Sequence, residues 1–181
     1  MRDIFTNVEY SEWRNIHEKY DAVLKTKAEK MKQDKKKEFL TLDKWYQSEL
    51  PEIICDRREK YITHDEICQL MTWKLTRGKF RPRLQQMVAS NTEEEVKSAS
   101  SKSFSLLPDL SAAIQALTVL KAIGPATASA ILTSGCPDVP FMADESMLAL
   151  PEISSLEYNL KTYLFYAEKV KNITKKLQKQ G

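Results

Sequence analysis

Four glycines in 181 residues, at positions 78, 124, 135 and 181, leave this chain few places to turn. A chain so poor in the residue that frees the backbone builds most readily from helices joined at their ends. Each internal glycine stands where a helix should stop or a tight turn should form. The same scarcity excludes a glycine-rich loop that would cradle a nucleotide. Helix-starting signals fill the gaps. Thr63-His-Asp-Glu66, Thr92-Glu-Glu-Glu95 and Ser154-Ser-Leu-Glu157 each read as a capping box, in which a hydroxyl and a carboxylate three residues apart satisfy each other's backbone amides.

Apolar periodicity extends the same reading along the chain. Ser11 is expected to cap a helix with Trp13, Ile16, Tyr20, Val23 and Leu24 on one side, running out into solvent near Lys32. Thr41 is expected to start a second, with Leu42, Trp45, Tyr46 and Leu50, interrupted by Pro51. The box at Thr63 precedes Ile67, Leu70, Met71 and Leu75, with Gly78 as the stop. Pro82 suits the first turn of a short helix carrying Leu84, Met87 and Val88. The box at Thr92 opens a helix to about Phe104, so the serine-rich stretch 98–105 reads as a helix end rather than a linker. Asp109 caps a helix through Ile114 and Leu117, and Ser154 is expected to open a long one carrying Leu160, Tyr163, Ala167, Val170 and Ile173. No strand-like alternation of useful length interrupts them. The expectation is an all-α, multi-helix globular domain of eight or nine helices. Its N-terminal helical region, residues 1–60, continues into residues 61–181 as one unit.

Hydrophobic residues at 42% and charged residues at 29% fit a folded domain with a core rather than a disordered segment. No apolar run approaches the roughly 20 residues of a membrane span, and the opening MRDIFTNVEYSEW lacks a signal peptide's apolar stretch. The expected location is inside the cell, in nucleus or cytoplasm, away from membranes. Cys55, Cys68 and Cys136 lie far apart without a CxxC pair, which argues against a disulfide framework or a zinc site. His64 and Cys68, four apart on one helix, lack a second ligand pair and read as a surface histidine and a half-buried cysteine. No metal and no cofactor is expected.

The net charge of +3 is too small to identify a partner, but the charges are segregated. Residues 25–37 hold seven lysines against Glu29 and Asp34, and residues 161–179 hold six against Glu168. Both read as solvated helix faces that add non-specific affinity at most. Residues 73–91 hold Lys74, Arg77, Lys79, Arg81 and Arg83 with no acid at all, interleaved with Trp73 and Phe80. Cations with aromatics between them can neutralise phosphates and stack on bases or sugars, or form a solvated loop whose aromatics pack inward. Residues 138–157 carry five acids and no base.

The most informative stretch is Leu117-Thr-Val-Leu-Lys-Ala-Ile-Gly-Pro-Ala-Thr-Ala-Ser-Ala-Ile-Leu-Thr-Ser-Gly135. One helix ends near Leu120, a tight turn follows at residues 122–124, and Pro125 starts the next helix. Gly124 is expected to supply the close approach or positive φ that such a turn demands. Ala126, Ala128 and Ala130 are small enough to let the second helix lie close to the first. The turn directs backbone N–H groups outward at a helix N-terminus, where the dipole favours an anion such as phosphate.

The run LKAIGPATASAIL resembles the helix-hairpin-helix signature LPGIGxxTAxxIL of the base-excision DNA glycosylase superfamily, a likeness that covers residues 106–150. Twenty residues after Gly124, in Val139-Pro-Phe-Met-Ala-Asp144, an aspartate stands where that family carries its catalytic one. The resemblance implies a DNA glycosylase-like fold whose hairpin holds DNA while a base is flipped into a pocket. It implies that Gly124, Ala126 and the neighbouring backbone of Ile123 and Thr127 contact phosphate; Lys121 and, on its charge alone, the block 74–83 are expected to assist. Asp144 would then stabilise the cationic sugar or activate water as the glycosidic bond breaks. The sequence departs from the family at Ala122, which replaces the first glycine of the usual pair. Ala126 stands where bifunctional members carry a Schiff-base lysine, which leaves a monofunctional enzyme as the allowed version. The four-cysteine iron–sulfur loop of some members is absent. A non-catalytic, protein-binding module on the same scaffold is the alternative, motivated by Ala122 and the acidic stretch. Salt dependence of binding separates the two.

Overall fold

The computed structural model describes residues 5, 8–79 and 81–180 and is all-helical among them. Among the described residues, eleven α-helices and one π-helical segment follow one another. They are α1 (Tyr10–Glu18), α2 (Tyr20–Glu29), α3 (Gln33–Lys44), the π segment (Trp45–Glu49), α4 (Leu50–Cys55), α5 (His64–Arg77) and α6 (Pro82–Ala89). Then come α7 (Glu93–Ser105), α8 (Leu110–Leu117), α9 (Pro125–Gly135), α10 (Asp144–Leu148) and α11 (Leu160–Gln178). The expected all-α class holds. No helix among the described residues is long and apolar enough to cross a membrane.

Two of the three capping boxes form as read. Thr63 and Thr92 each accept from the backbone of the glutamate three residues on, and each glutamate returns the bond. Asp109 caps α8 by accepting from Ala112. The third box does not form: α11 starts six residues after Ser154, where the Asn159 side chain accepts from the Thr162 amide. Asn competes as well as Ser for a free amide, and here it stands directly before the helical register that buries Tyr163 and Tyr166.

The N-terminal region departs most from expectation. Its first helix begins at Tyr10 with Glu9, not Ser11, before it, and the chain breaks at Lys19 and restarts at Tyr20. Ile16 and Val23 are consequently exposed, whereas the Tyr20 hydroxyl reaches the carboxylate of Asp43. That bond turns Tyr20 away from the apolar stripe the spacing suggests. The lysine-rich stretch reverses at residues 30–32 instead of running into solvent, and α2 packs along α3. Thr41 lies inside α3 rather than at a start. Nor does Pro51 end this helix. The ladder widens into the π segment at Trp45–Glu49 and α4 resumes with Pro51 in its first turn, where the missing N–H is harmless. These breaks raise the count above the expected eight or nine.

α9 is the axis of the packing. Nine of its residues are buried, and it touches α4, α5, α7, α8 and α11. A helix buried on every side needs apolar or small residues all round. Ala126, Ala128, Ser129, Ala130, Ser134 and Gly135 supply them, with Ile131 and Leu132 as its larger apolar groups. Their small size lets neighbours approach closely, and the Tyr46 hydroxyl donates to the Ala130 carbonyl at 2.9 Å. Helices from residues 1–60 share this core, since α4 packs on α9 and α3 on α5.

Gly135 measures how tight the packing is. A Cβ there would lie 2.5 Å from the Phe104 ring and 3.0 Å from Ile54. Gly135→Ala is expected to cost about 1–3 kcal/mol through overpacking, read as a lowered urea midpoint with an unchanged slope.

Candidate nucleic-acid interface

The segment that carries Asp144 is held against α9 by side chains that the sequence reading did not single out. The Ser129 hydroxyl accepts from the Met142 amide at 3.0 Å and donates to the Ala126 carbonyl, so one buried oxygen ties the 139–142 segment to the first turn of α9. One turn later the Thr133 hydroxyl lies 2.8 Å from the Val139 carbonyl. From the other side, the Tyr163 and Tyr166 hydroxyls of α11 donate to the carbonyls of Pro140 and Phe141. The segment belongs to no helix or strand, and these side chains supply partners for its backbone. Asp144 then opens α10 as its first residue, with Ala143 at the capping position. Its exposed carboxylate accepts from the Tyr158 hydroxyl at 2.9 Å. Burial and that bond together push the Tyr158 hydroxyl's pKa up.

The turn into α9 is clamped in the same manner. Asn91, 5% exposed, accepts from the Lys121 amide at 2.9 Å and donates to the Lys121 carbonyl at 3.2 Å. Positive φ falls on Ala122, at 64°, and not on Gly124, whose φ of −98° any residue adopts. The reason Gly124 suits its place is therefore open space: a Cβ there would meet nothing within 4 Å. No side chain caps α9 among the described residues, so its first amides are left to solvent or to a ligand.

These pieces surround one cleft of about 280 Å³. Gly124, Ala126 and Thr127 contribute the N-terminus of α9; Lys74, Arg77, Lys79 and Arg81 line it from α5 and the loop that follows; Asp144, Glu145 and Tyr158 stand on its remaining wall. Phe141 is also among its lining residues. Sequence-separated candidates thus converge on one place. Lys74 is half-buried, and its ammonium has no hydrogen-bond partner among the described residues. Burial lowers its pKa, the nearby Asp144 charge works against that, and Arg81 adds to it.

Other candidates lie apart or inward. Ile123 is 4% exposed, so only its backbone is on offer. Lys121 and Arg83 are exposed but do not line the cleft; the Lys121 ammonium donates to the Ser90 carbonyl at 3.3 Å. Trp73 cannot stack on a base, because it is fully buried and stacked on Tyr46 with ring centroids 3.6 Å apart. Phe80 lies outside the described residues. Among the described residues no group of three or more metal-ligating side chains is assembled.

Ala122 holds a backbone conformation that costs an L-residue about 1–2 kcal/mol. Ala122→Gly is expected to raise stability by about 1 kcal/mol, less the added freedom of the unfolded chain. Thermal unfolding checks it, with an unchanged or lowered midpoint as the contrary result. Comparison of the chain with protein families, with curated proteins and with solved structures finds no match in any of the three.

Proposed function

We propose that this chain binds duplex DNA through the sugar–phosphate backbone, with α8, the turn and α9 acting as a helix-hairpin-helix and the neighbouring cations completing the site. The observation that carries the reading is the convergence on one cleft of an uncapped helix N-terminus and four cationic side chains. Free amides and a favourable dipole suit a phosphate oxygen, and Gly124 leaves the space for it to approach. Lys74, Arg77, Lys79 and Arg81 then neutralise adjacent phosphates. The left-handed backbone at Ala122 lends support, since the family that the sequence resembles has a glycine there.

Asp144 extends the reading to chemistry. In the glycosylase-like version its carboxylate faces the sugar and stabilises positive charge as the bond to the base breaks, with Tyr158 orienting it. Asp144→Asn then abolishes base excision while sparing duplex binding, as a single-turnover assay on damaged duplexes reads out. Excision at an unchanged rate removes Asp144 from the reaction.

Binding itself is tested with a labelled duplex at two salt concentrations, comparing the wild type with Gly124→Glu. The open space and ordinary φ at Gly124 mean that the glutamate leaves the fold intact while setting a negative charge beside the phosphate. Affinity is expected to fall steeply with salt, by a logarithmic slope of about 0.9 per phosphate contacted, and to be lost in the variant. Equal binding by both proteins, or none by the wild type, overturns the reading and favours a protein partner instead.

A further inference from the structure

We propose that the buried carboxylate of Asp43 positions the Arg77 guanidinium on the cleft wall, so that the phosphate site is incomplete without the N-terminal helices α2 and α3. The inference rests on the reading of the cleft as a phosphate site and adds to it a part of the chain that no motif marks.

Asp43 is 1% exposed, yet it is a charged group on a helix otherwise packed by Phe39 and Leu42. Its burial is tolerated because the Trp73 indole N–H and the Tyr20 hydroxyl each donate to it at 3.0 Å and the Arg77 guanidinium pairs with its charge at 3.7 Å. Tyr20 is the hinge of this network. Its hydroxyl has one proton and two lone pairs, and it accepts from Gln47 Nε2 at 3.0 Å and from Arg77 Nη1 at 3.1 Å. The proton therefore goes to Asp43. Polarity runs one way, from guanidinium to hydroxyl to carboxylate, because an arginine cannot accept and an ionised carboxylate cannot donate.

Arg77 is the last residue of α5, where a long side chain would otherwise swing freely. The chain of bonds holds Nη1, and the Trp73 ring lies 5.6 Å from the guanidinium carbon. Arg77 also lines the cleft, and its other N–H groups have no partner among the described residues. A planar fork fixed along one side presents its remaining donors in a set direction, the geometry that suits the two free oxygens of a phosphodiester. The surrounding Lys74, Lys79 and Arg81 supply charge; Asp43 and Tyr20 supply orientation. α2 reaches the cleft's acidic rim as well, through Lys27 and Glu145 at 3.8 Å.

The sign of one substitution separates positioning from field effects. Asp43→Asn removes a negative charge, so long-range electrostatics alone would tighten DNA binding. Positioning predicts the opposite: affinity of the full chain for a fluorescein-labelled duplex falls roughly tenfold, the weight of a charged hydrogen bond. The salt slope falls by about 0.9, one contact's worth. Tyr20→Phe, which changes no charge, gives the same loss. In an Arg77→Gln background neither substitution has further effect, which a merely structural role would not produce. Helix content and thermal midpoint are measured on each variant; should Asp43→Asn fail to fold, Tyr20→Phe decides alone. Salt-sensitive wild-type binding with unchanged or tighter binding by the folded variants overturns this proposal and leaves the phosphate site standing. No wild-type binding overturns both.

Discussion

A helix buried on all sides is the constraint on which the rest of this structure depends. α9 can occupy the centre because its sequence is small and apolar, and its Ser129 and Ser134 hydroxyls donate to nearby backbone carbonyls. Small side chains carry little transfer energy of their own, so the stabilisation comes from what they let approach. Tyr46, Phe104, Leu117 and Tyr163, buried in the surrounding layers, are the residues with large area to remove from water. A central helix also has two ends to dispose of. Its C-terminal end is closed by Phe104, Ile54 and the Lys60 ammonium, which donates to the Gly135 carbonyl. Its N-terminal end opens into the cleft. Packing thereby determines where unsatisfied amides emerge.

The cleft is accordingly a consequence of the core and not an addition to it. Ser129 and Thr133 serve two purposes, filling space beside α9 and gripping the segment that leads to Asp144. Asn91 does the same for the turn before α9. Each of these polar groups has partners, and leaving one unpaired in a buried place would cost more than its replacement by an apolar one. Rigidity of the surroundings follows. At the rim the cations Lys79 and Arg81 are exposed, with their heads in water.

Much of the fold was legible in the residues. Capping boxes at Thr63 and Thr92, the cap at Asp109, the stop at Gly78 and the start at Pro125 are local signals, and each depends on chemistry within four residues. The N-terminal region was misread because its organisation is not local. Tyr20 and Asp43 look like an ordinary stripe residue and a solvated helix acid until Trp73 and Arg77, thirty or more residues later, are brought beside them. Nothing in the spacing signals that. The π segment at Trp45–Glu49 is similarly invisible, since a change of helical register leaves the apolar spacing looking continuous. For the cleft, the lining residues Lys74, Arg77, Lys79, Arg81, Gly124, Ala126, Thr127 and Asp144 carried a sequence signal in their charge or their motif. Asn91, Ser129, Thr133 and Tyr158 carried none, because a supporting role depends on three-dimensional neighbours and leaves no pattern of its own.

The central claim is that a phosphate-bearing ligand meets the N-terminus of α9. Amide chemical shifts followed by NMR during titration with a short duplex test it most directly, since they report on individual backbone N–H groups without any substitution. The account predicts that the largest shifts, reversed by added salt, fall on Gly124, Ala126 and Thr127 and extend to Lys74, Arg77 and Lys79. Shifts confined to the lysine-rich face of α11, or no shifts at the α9 N-terminus while the duplex binds elsewhere, would contradict it.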